Sequence, residues 1–250
     1  MNRRPKPLAA EAVKLRRSWT LLVAFMAPLA QAAFLFLVVW LSDDRARQIG
    51  TGFQAWYQVN HAAWNLFVLP VAVALMTALS WGQEAEASAW KHLLVQPLPR
   101  QMHMRAKLAG LLGHLLAAQA LLALLLLAGG LLLRAFVPQL AMGALEPGRL
   151  ARYTLLSTLG ALPLAALHNA LGGWASRVSL ALVLALGGTW VATRLPAGPF
   201  LYLWPWGLCS RVPELGHQGH VPVAVLLALP AAAALALAGQ AAFRRGEELP

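Results

Sequence analysis

The seven histidines are the side chains of this chain that could bind a metal ion or haem. Only one pair lies close in sequence, His217 and His220, and its three-residue spacing can ligate zinc. Glu214 is its one acidic neighbour, and the single cysteine excludes a metal site built from several cysteines. We therefore predict interfacial histidines and no metal site. A membrane-embedded enzyme or a haem- or metal-handling protein stays as the alternative function.

A nucleotide-binding loop is missing from the sequence. No G-x-x-x-x-G-K-[ST] occurs, and none of the four lysines (Lys6, Lys14, Lys91 and Lys107) follows a glycine-rich loop. No Ser-His-Asp, Cys-His or paired-carboxylate set stands out either. We therefore predict that the chain is not an enzyme and binds no cofactor, so that any ATP would be hydrolysed by a partner.

Polar side chains within the apolar runs are few. The adjacent pair His168 and Asn169, one turn beyond Pro163, is the best candidate for an intramembrane polar site. Hydrogen bonding between helices also explains such a pair, and we favour that interpretation. Acidic residues are missing from the interiors of these runs, which argues against a proton-coupled secondary transporter.

The composition is that of an integral membrane protein. Hydrophobic residues make up 59% of the chain, the mean hydropathy is +0.61, and only 12% of residues are charged, whereas roughly a quarter are charged in soluble proteins. The formal charge of +11 does not indicate nucleic-acid binding, because the basic residues sit at the ends of apolar runs. There they orient the spans and contact membrane lipids.

Six apolar runs are each long enough to cross a bilayer, and the predicted class is therefore all-α with one membrane domain over residues 1–250. The first run continues without a break to Leu41, which favours an uncleaved span over a signal peptide. A basic amphipathic segment, Pro7 to Ser18, predicts an interfacial helix before it. The predicted spans are 19–41, 62–81, 108–133, 153–173, 178–195 and 221–243.

The distribution of Lys and Arg predicts that both termini are cytoplasmic. With that orientation, thirteen of the 20 basic residues lie on the cytoplasmic side. The other seven are Arg45, Arg47, Arg134, Arg149, Arg152, Arg194 and Arg211.

A polar stretch, residues 83–107, separates the second and third predicted spans. Its first part is helix-forming sequence that should end at Gln96, because prolines follow at positions 97 and 99. Ala87, Trp90 and Leu94 recur at helical spacing and give this short helix an apolar ridge. The periodicity alone allows the ridge to dock into a partner's groove or to lie on the bilayer.

The order of residues in this stretch resembles the first cytoplasmic loop of ABC transporter permeases of the type 2 exporter class, most closely the bacitracin and lantibiotic-immunity branch. The shared pattern is an acidic residue ending the second span, a Trp-Lys-x-Leu-Leu core, a Pro-x-x-Arg turn and a Lys opening the third span. Here these positions are Glu84, Glu86, Trp90, Lys91, Leu93, Leu94, Pro97, Arg100 and Lys107.

The resemblance implies a cytoplasmic coupling helix that contacts a separate ATPase subunit, present in two copies and using ATP and Mg. It also implies a second permease, identical or related, and the cytoplasmic (inner) membrane of a bacterium. The expected substrate is a hydrophobic or amphipathic compound such as a lantibiotic or bacitracin-like peptide, exported for self-immunity or drug resistance. The implied coupling residues are Glu84, Glu86, Trp90, Lys91, Leu94, Pro97 and Arg100.

The predicted fifth loop, Pro196 to His220, combines four prolines with alternating aromatic residues. Such rings anchor loops at the headgroup level of a membrane, and we favour this role over contact with substrate. In the resembling family this region forms short helices that dip back into the outer leaflet. The aromatic residues are Phe200, Tyr202, Trp204 and Trp206.

Overall fold

The computed structural model describes residues 18–41, 52–86, 100–137, 140, 142–174, 177–194 and 199–245, and their regular elements are helical. We number the α-helices in chain order. They are α1 (Trp19–Leu41), α2 (Phe53–Ala63), α3 (Leu69–Glu86), α4 (Arg100–Phe136), α5 (Pro147–Gly172), α6 (Val178–Arg194), α7 (Pro199–Leu203), α8 (Pro205–His217) and α9 (Val221–Arg245). A π-helical segment, Trp64–Val68, joins α2 to α3. The predicted interfacial helix before Ser18 lies outside the described residues.

Five helical stretches are long and apolar enough to cross a membrane, and they correspond to five of the six predicted spans. The predicted fifth span corresponds to α6, an apolar helix of 17 residues. At 1.5 Å per residue α6 is about 25 Å long, at the lower limit for the ~30 Å hydrocarbon core. The all-helical membrane class is confirmed, and the count of six spans stays a prediction.

The helix that contains the second predicted span begins at Phe53, nine residues before the predicted start of the span at residue 62. Gly52, with φ of +99°, precedes Phe53 and allows the chain to turn into α2. The extension was missed because it carries polar residues, yet Asn60 and His61 are buried against protein. The helix then widens into the π-helical turn at residues 64–68 and continues to Glu86. We call residues 53–86 the α2–α3 rod.

The centre of the bundle is formed by the α2–α3 rod and α5. In the apolar stretch of each, 56% of residues are buried, against 11% in α9. A short chain of hydrogen bonds crosses this centre: Gln119 Nε2 donates to Ser157 Oγ at 2.8 Å, and Ser157 Oγ donates to Asn65 Oδ1 at 2.5 Å. These two bonds join α4, α5 and the π-helical turn, and the Gln119 Oε1 atom has no partner among the described residues.

The short helix α8 packs deep in the bundle, whereas Phe200 and Leu203 of α7 are exposed. A Cβ added at Gly160, midway along α5, would lie 2.9 Å from the Leu208 carbonyl oxygen, so the α8 backbone contacts the middle of α5. A Cβ at Gly188 would overlap the Trp206 ring. Helix α8 therefore packs against α5 and α6.

Candidate functional site

The described residues include the two ends of the predicted coupling segment. Glu84 and Glu86 lie in the last turn of α3. Arg100 is the first residue of α4. The other predicted coupling residues, Trp90, Lys91, Leu94 and Pro97, lie outside the described residues.

Lys107 lies two turns into α4 and is only 3% exposed. Its Nζ donates to the Ser80 carbonyl oxygen at 2.8 Å and lies 3.3 Å from Ser80 Oγ. The same ammonium lies 5.0 Å from the centroid of the Trp81 ring. A buried cation is costly unless it is hydrogen-bonded, and these contacts provide that compensation. They join the last part of α3 to the first part of α4.

Trp81 extends this connection to α5. Its Nε1 donates to Asn169 Oδ1 at 3.2 Å, and Asn169 Nδ2 donates to the Met104 carbonyl oxygen at 3.3 Å. A Cβ at Gly172 would overlap the indole, so a glycine is needed for this close approach. We call Ser80, Trp81, Met104, Lys107 and Asn169 the Lys107 cluster. It joins α3, α4 and α5 near the end of α3 and the start of α4.

Helix α9 also contacts the end of the bundle that holds the Lys107 cluster. Arg105 Nε donates to Gln240 Oε1 at 2.9 Å. A Cβ at Gly239 would lie 2.6 Å from Ala170 Cβ, which shows how closely α9 approaches α5 there. The neighbourhood of the Lys107 cluster therefore involves α3, α4, α5 and α9.

The predicted polar pair separates into two environments. Asn169 uses both ends of its amide within the Lys107 cluster, which fits interhelical hydrogen bonding. His168, 2% exposed, instead lines a cavity of about 70 Å³ between α3, α5 and α6. Its Nε2 has no hydrogen-bond partner among the described residues, and its ring meets Trp206 edge-on at a centroid distance of 5.6 Å. Of the two described side chains, His168 is the one with a polar atom that lacks a partner.

A family model described as "ABC-2 family transporter protein" matches residues 8–188. The match covers more than half of the chain and includes the whole Lys107 cluster. The chain belongs to this family. It is therefore the membrane-spanning permease subunit of an ABC transporter, which works with an ABC ATPase subunit. No curated protein matches the chain.

The aromatic residues that follow the matched region occupy different environments in the permease. Phe200 is 70% exposed, whereas Trp206 is 6% exposed. Trp204 donates from Nε1 to the Gly188 carbonyl oxygen at 2.9 Å, and its ring lies 5.1 Å from that of Trp206. Tyr202 is half-buried. The two tryptophans therefore join the start of α8 to α6, and Phe200 is the most exposed of the four rings.

The interpretation of His217 and His220 as interfacial histidines stays a prediction. Helix α8 ends at His217, and His220 precedes α9 as an exposed residue. Among the described residues, no group of three His, Cys, Asp or Glu side chains could hold a metal ion.

Sequence reasoning missed Trp81 and Ser80, the partners of Lys107. They are the last two residues of the second predicted span, where a tryptophan or serine gives no indication of its neighbours. The position of Lys107 did give an indication. This lysine lies near the start of α4 and directly precedes the third predicted span, which begins at residue 108. A lysine at such a position requires a partner, but the sequence does not name it.

Proposed function

We propose that this permease exports a hydrophobic or amphipathic compound, such as a lantibiotic or bacitracin-like peptide, using ATP hydrolysed by the partner subunit. Self-immunity or drug resistance would be the outcome. The permease would lie in the inner membrane of a bacterium with both termini in the cytoplasm. The observation that carries the proposal is the Lys107 cluster, which joins three helices where the polar segment 84–100 meets the membrane.

The coupling segment would receive the movement of the ATPase subunit and pass it to these helices. Because Lys107 bonds to Ser80, a force on residues 87–99 would displace the end of α3 and the start of α4 together. The hydrogen bond from Trp81 to Asn169 would extend the displacement to α5. Packed, hydrogen-bonded elements move as units, which supports this route.

Two permeases and two ATPase subunits would form the working transporter. The apolar stretch of α9 is 11% buried and that of α1 is 28% buried, so each presents a long apolar surface to lipid or to a second permease. The chain's own bundle also encloses little space near His168, since a cavity of about 70 Å³ holds only a few water molecules. A peptide-sized substrate would need a path formed between two permeases.

His168 would contact a polar group of the substrate at the edge of that path. Apart from Thr77, whose hydroxyl donates to the Val73 carbonyl oxygen, the other side chains that line the cavity are apolar. Two of its residues, Trp174 and Leu180, are exposed on the bundle surface. An amphipathic molecule in the lipid could therefore place one hydrogen-bonding group at His168 Nε2 and leave its apolar part among the surrounding side chains.

Co-purification combined with transport tests the proposal. The tagged permease, extracted mildly from its host, should bring an ATPase subunit with it. Trp90→Ala and the charge reversals Glu84→Lys and Glu86→Lys should remove the ATPase or abolish ATP-driven export, while membrane insertion persists. Trp19→Ala is the matched control, because Trp19 is an exposed tryptophan at the same end of the bundle. Export that survives all three coupling variants would contradict the assignment.

A further inference from the structure

A second, larger cavity lies at the opposite end of the bundle from the Lys107 cluster. Its volume is about 560 Å³, and it opens between the start of α2, the start of α5 and the residues after α8. The side chains that line it are polar. They are Gln54, Gln58, Arg149, Arg152, Tyr153 and Gln218.

These side chains form a site rich in hydrogen-bond donors. Arg149 and Arg152 lie on α5, and each guanidinium carries five N–H donors in a fork that fits the oxygens of a phosphate. The amides of Gln54 and Gln58, on α2, and of Gln218 supply neutral donors from two further directions. No carboxylate is among the described residues that line the cavity. The charge and the geometry of the donors therefore both favour an anion.

The start of α5 adds to this preference. Pro147 and Gly148 open the helix, and its positive dipole end lies beside the cavity that Gly148 helps to line. A Cβ added at Gly148 would have no heavy atom within 4 Å, so there is space for a ligand next to the backbone. The dipole supports a site that the two arginines and three glutamines already define.

Arg149 has an acidic neighbour that would compete with a ligand for its guanidinium. Glu146, just before the helix, forms an ion pair with Arg149, and both side chains are about 40% exposed. Arg149 also has a side-chain hydrogen bond with Tyr153. These contacts orient the guanidinium, but an exposed ion pair contributes little, so a ligand with several acceptor oxygens can displace the carboxylate.

We propose that this cavity binds a phosphate group. Both arginines are exposed at the end of a membrane-spanning helix, which is the level at which phospholipid phosphates lie. The group can belong to the headgroup of an anionic phospholipid or to free inorganic phosphate. The site stands on the cavity and its side chains, and it does not depend on the proposed substrate or on the coupling segment.

Ligand binding to the full-length, delipidated permease in detergent tests the proposal. Phosphatidylglycerol and inorganic phosphate are titrated separately, and diacylglycerol with the same tails and chloride at equal ionic strength are the phosphate-free controls. Native mass spectrometry and thermal shift report binding. The variants are Arg149→Gln with Arg152→Gln, and the control is Arg194→Gln, an exposed arginine at the same end of the bundle that stacks over Trp190.

The double variant should lose at least about tenfold in affinity for the phosphate-bearing ligand, because two charge-assisted contacts are removed. Arg194→Gln should bind as the unchanged permease does. Loss confined to phosphatidylglycerol identifies a lipid headgroup, and loss confined to inorganic phosphate identifies the free ion. Equal binding by the double variant and the unchanged permease would overturn the proposal.

If the double variant does not fold, a second variant tests the proposal that the cavity binds phosphate. Glu146→Gln removes the competing carboxylate and keeps both arginines, so affinity for the phosphate-bearing ligand should rise a few-fold. Unchanged or weaker binding by a folded Glu146→Gln permease would overturn the proposal.

Discussion

The basic side chains at the two ends of the bundle differ in burial. Lys107 is buried, and its ammonium is bonded to Ser80 and lies over Trp81. Arg149 and Arg152 are exposed beside a cavity of about 560 Å³. The buried Lys107 joins helices to one another, whereas the two exposed arginines face an open space in which a ligand can contact them, although Arg149 also pairs with Glu146. The difference separates a structural connection from a binding site within a single chain.

The largest effect should come from truncating the buried cation. Lys107→Ala removes the ammonium and most of the side chain, and it leaves the Ser80 carbonyl without this donor. We expect a loss of about 3 kcal/mol in the free energy of unfolding. Arg194→Ala, at the exposed end, should change it by less than about 0.5 kcal/mol. Unfolding in mixed micelles measures both, and equal losses would remove the contrast between the two ends.

The second effect concerns α8, which runs between the two ends. Gly188→Val should force the Trp206 ring away from α6 and cost about 2 kcal/mol, because a Cβ there overlaps the indole. Gly187→Val is the matched control, since a Cβ at Gly187 has no heavy atom within 4 Å. Thermal unfolding followed by tryptophan fluorescence distinguishes them. Similar melting of both variants would show that the depth of α8 is not fixed by this contact.

The third prediction contrasts the effects of substitutions at His168 and at Asn169 on stability. Asn169→Leu leaves the Trp81 Nε1 donor and the Met104 carbonyl without their partner and should cost about 1–2 kcal/mol. His168→Phe removes a buried nitrogen that has no partner among the described residues, so stability should be nearly unchanged. Export should fall in His168→Phe if this side chain meets the substrate. Stability assays beside transport assays check the division, and a His168→Phe permease that is as unstable as Asn169→Leu would contradict it.

The smallest effect should come from the exposed ion pair. Glu146→Gln breaks its pair with Arg149, and the free energy of unfolding should change by less than about 0.5 kcal/mol, because such pairs are screened by water and salt. Unfolding measured at low and high salt tests this. A large, salt-insensitive loss would mean that Arg149 fixes helices as Lys107 does.

The apolar runs predicted most of the fold. The first helix begins at residue 19 and ends at residue 41 as predicted, because an unbroken apolar run has clear ends. The second helical stretch extends beyond the predicted span, and the added part contains Asn60 and His61, which are polar but covered by protein. Hydropathy cannot distinguish such a helix end from a loop, since the covering side chains come from other parts of the chain.

The candidate site was predicted less completely than the fold. Trp81 and Lys107 are separated by 26 positions, and only the antiparallel return of α4 beside α3 brings them together. The pair His168 and Asn169 was predicted as one site, yet adjacent residues on a helix point about 100° apart and meet different neighbours. The cavity with Arg149 and Gln54 is likewise formed by residues distant in sequence.

The π-helical turn at Trp64–Val68 rotates the two parts of the α2–α3 rod relative to each other around the helix axis. A π turn holds one residue more than an α turn, and one residue corresponds to a rotation of about 100° around the helix axis. Gln54 and Gln58 before the turn, and Ser80 and Trp81 after it, are therefore out of rotational phase with a single straight helix. Removing one residue from this turn would keep the hydropathy of the span and yet turn one end of the rod away from its neighbours.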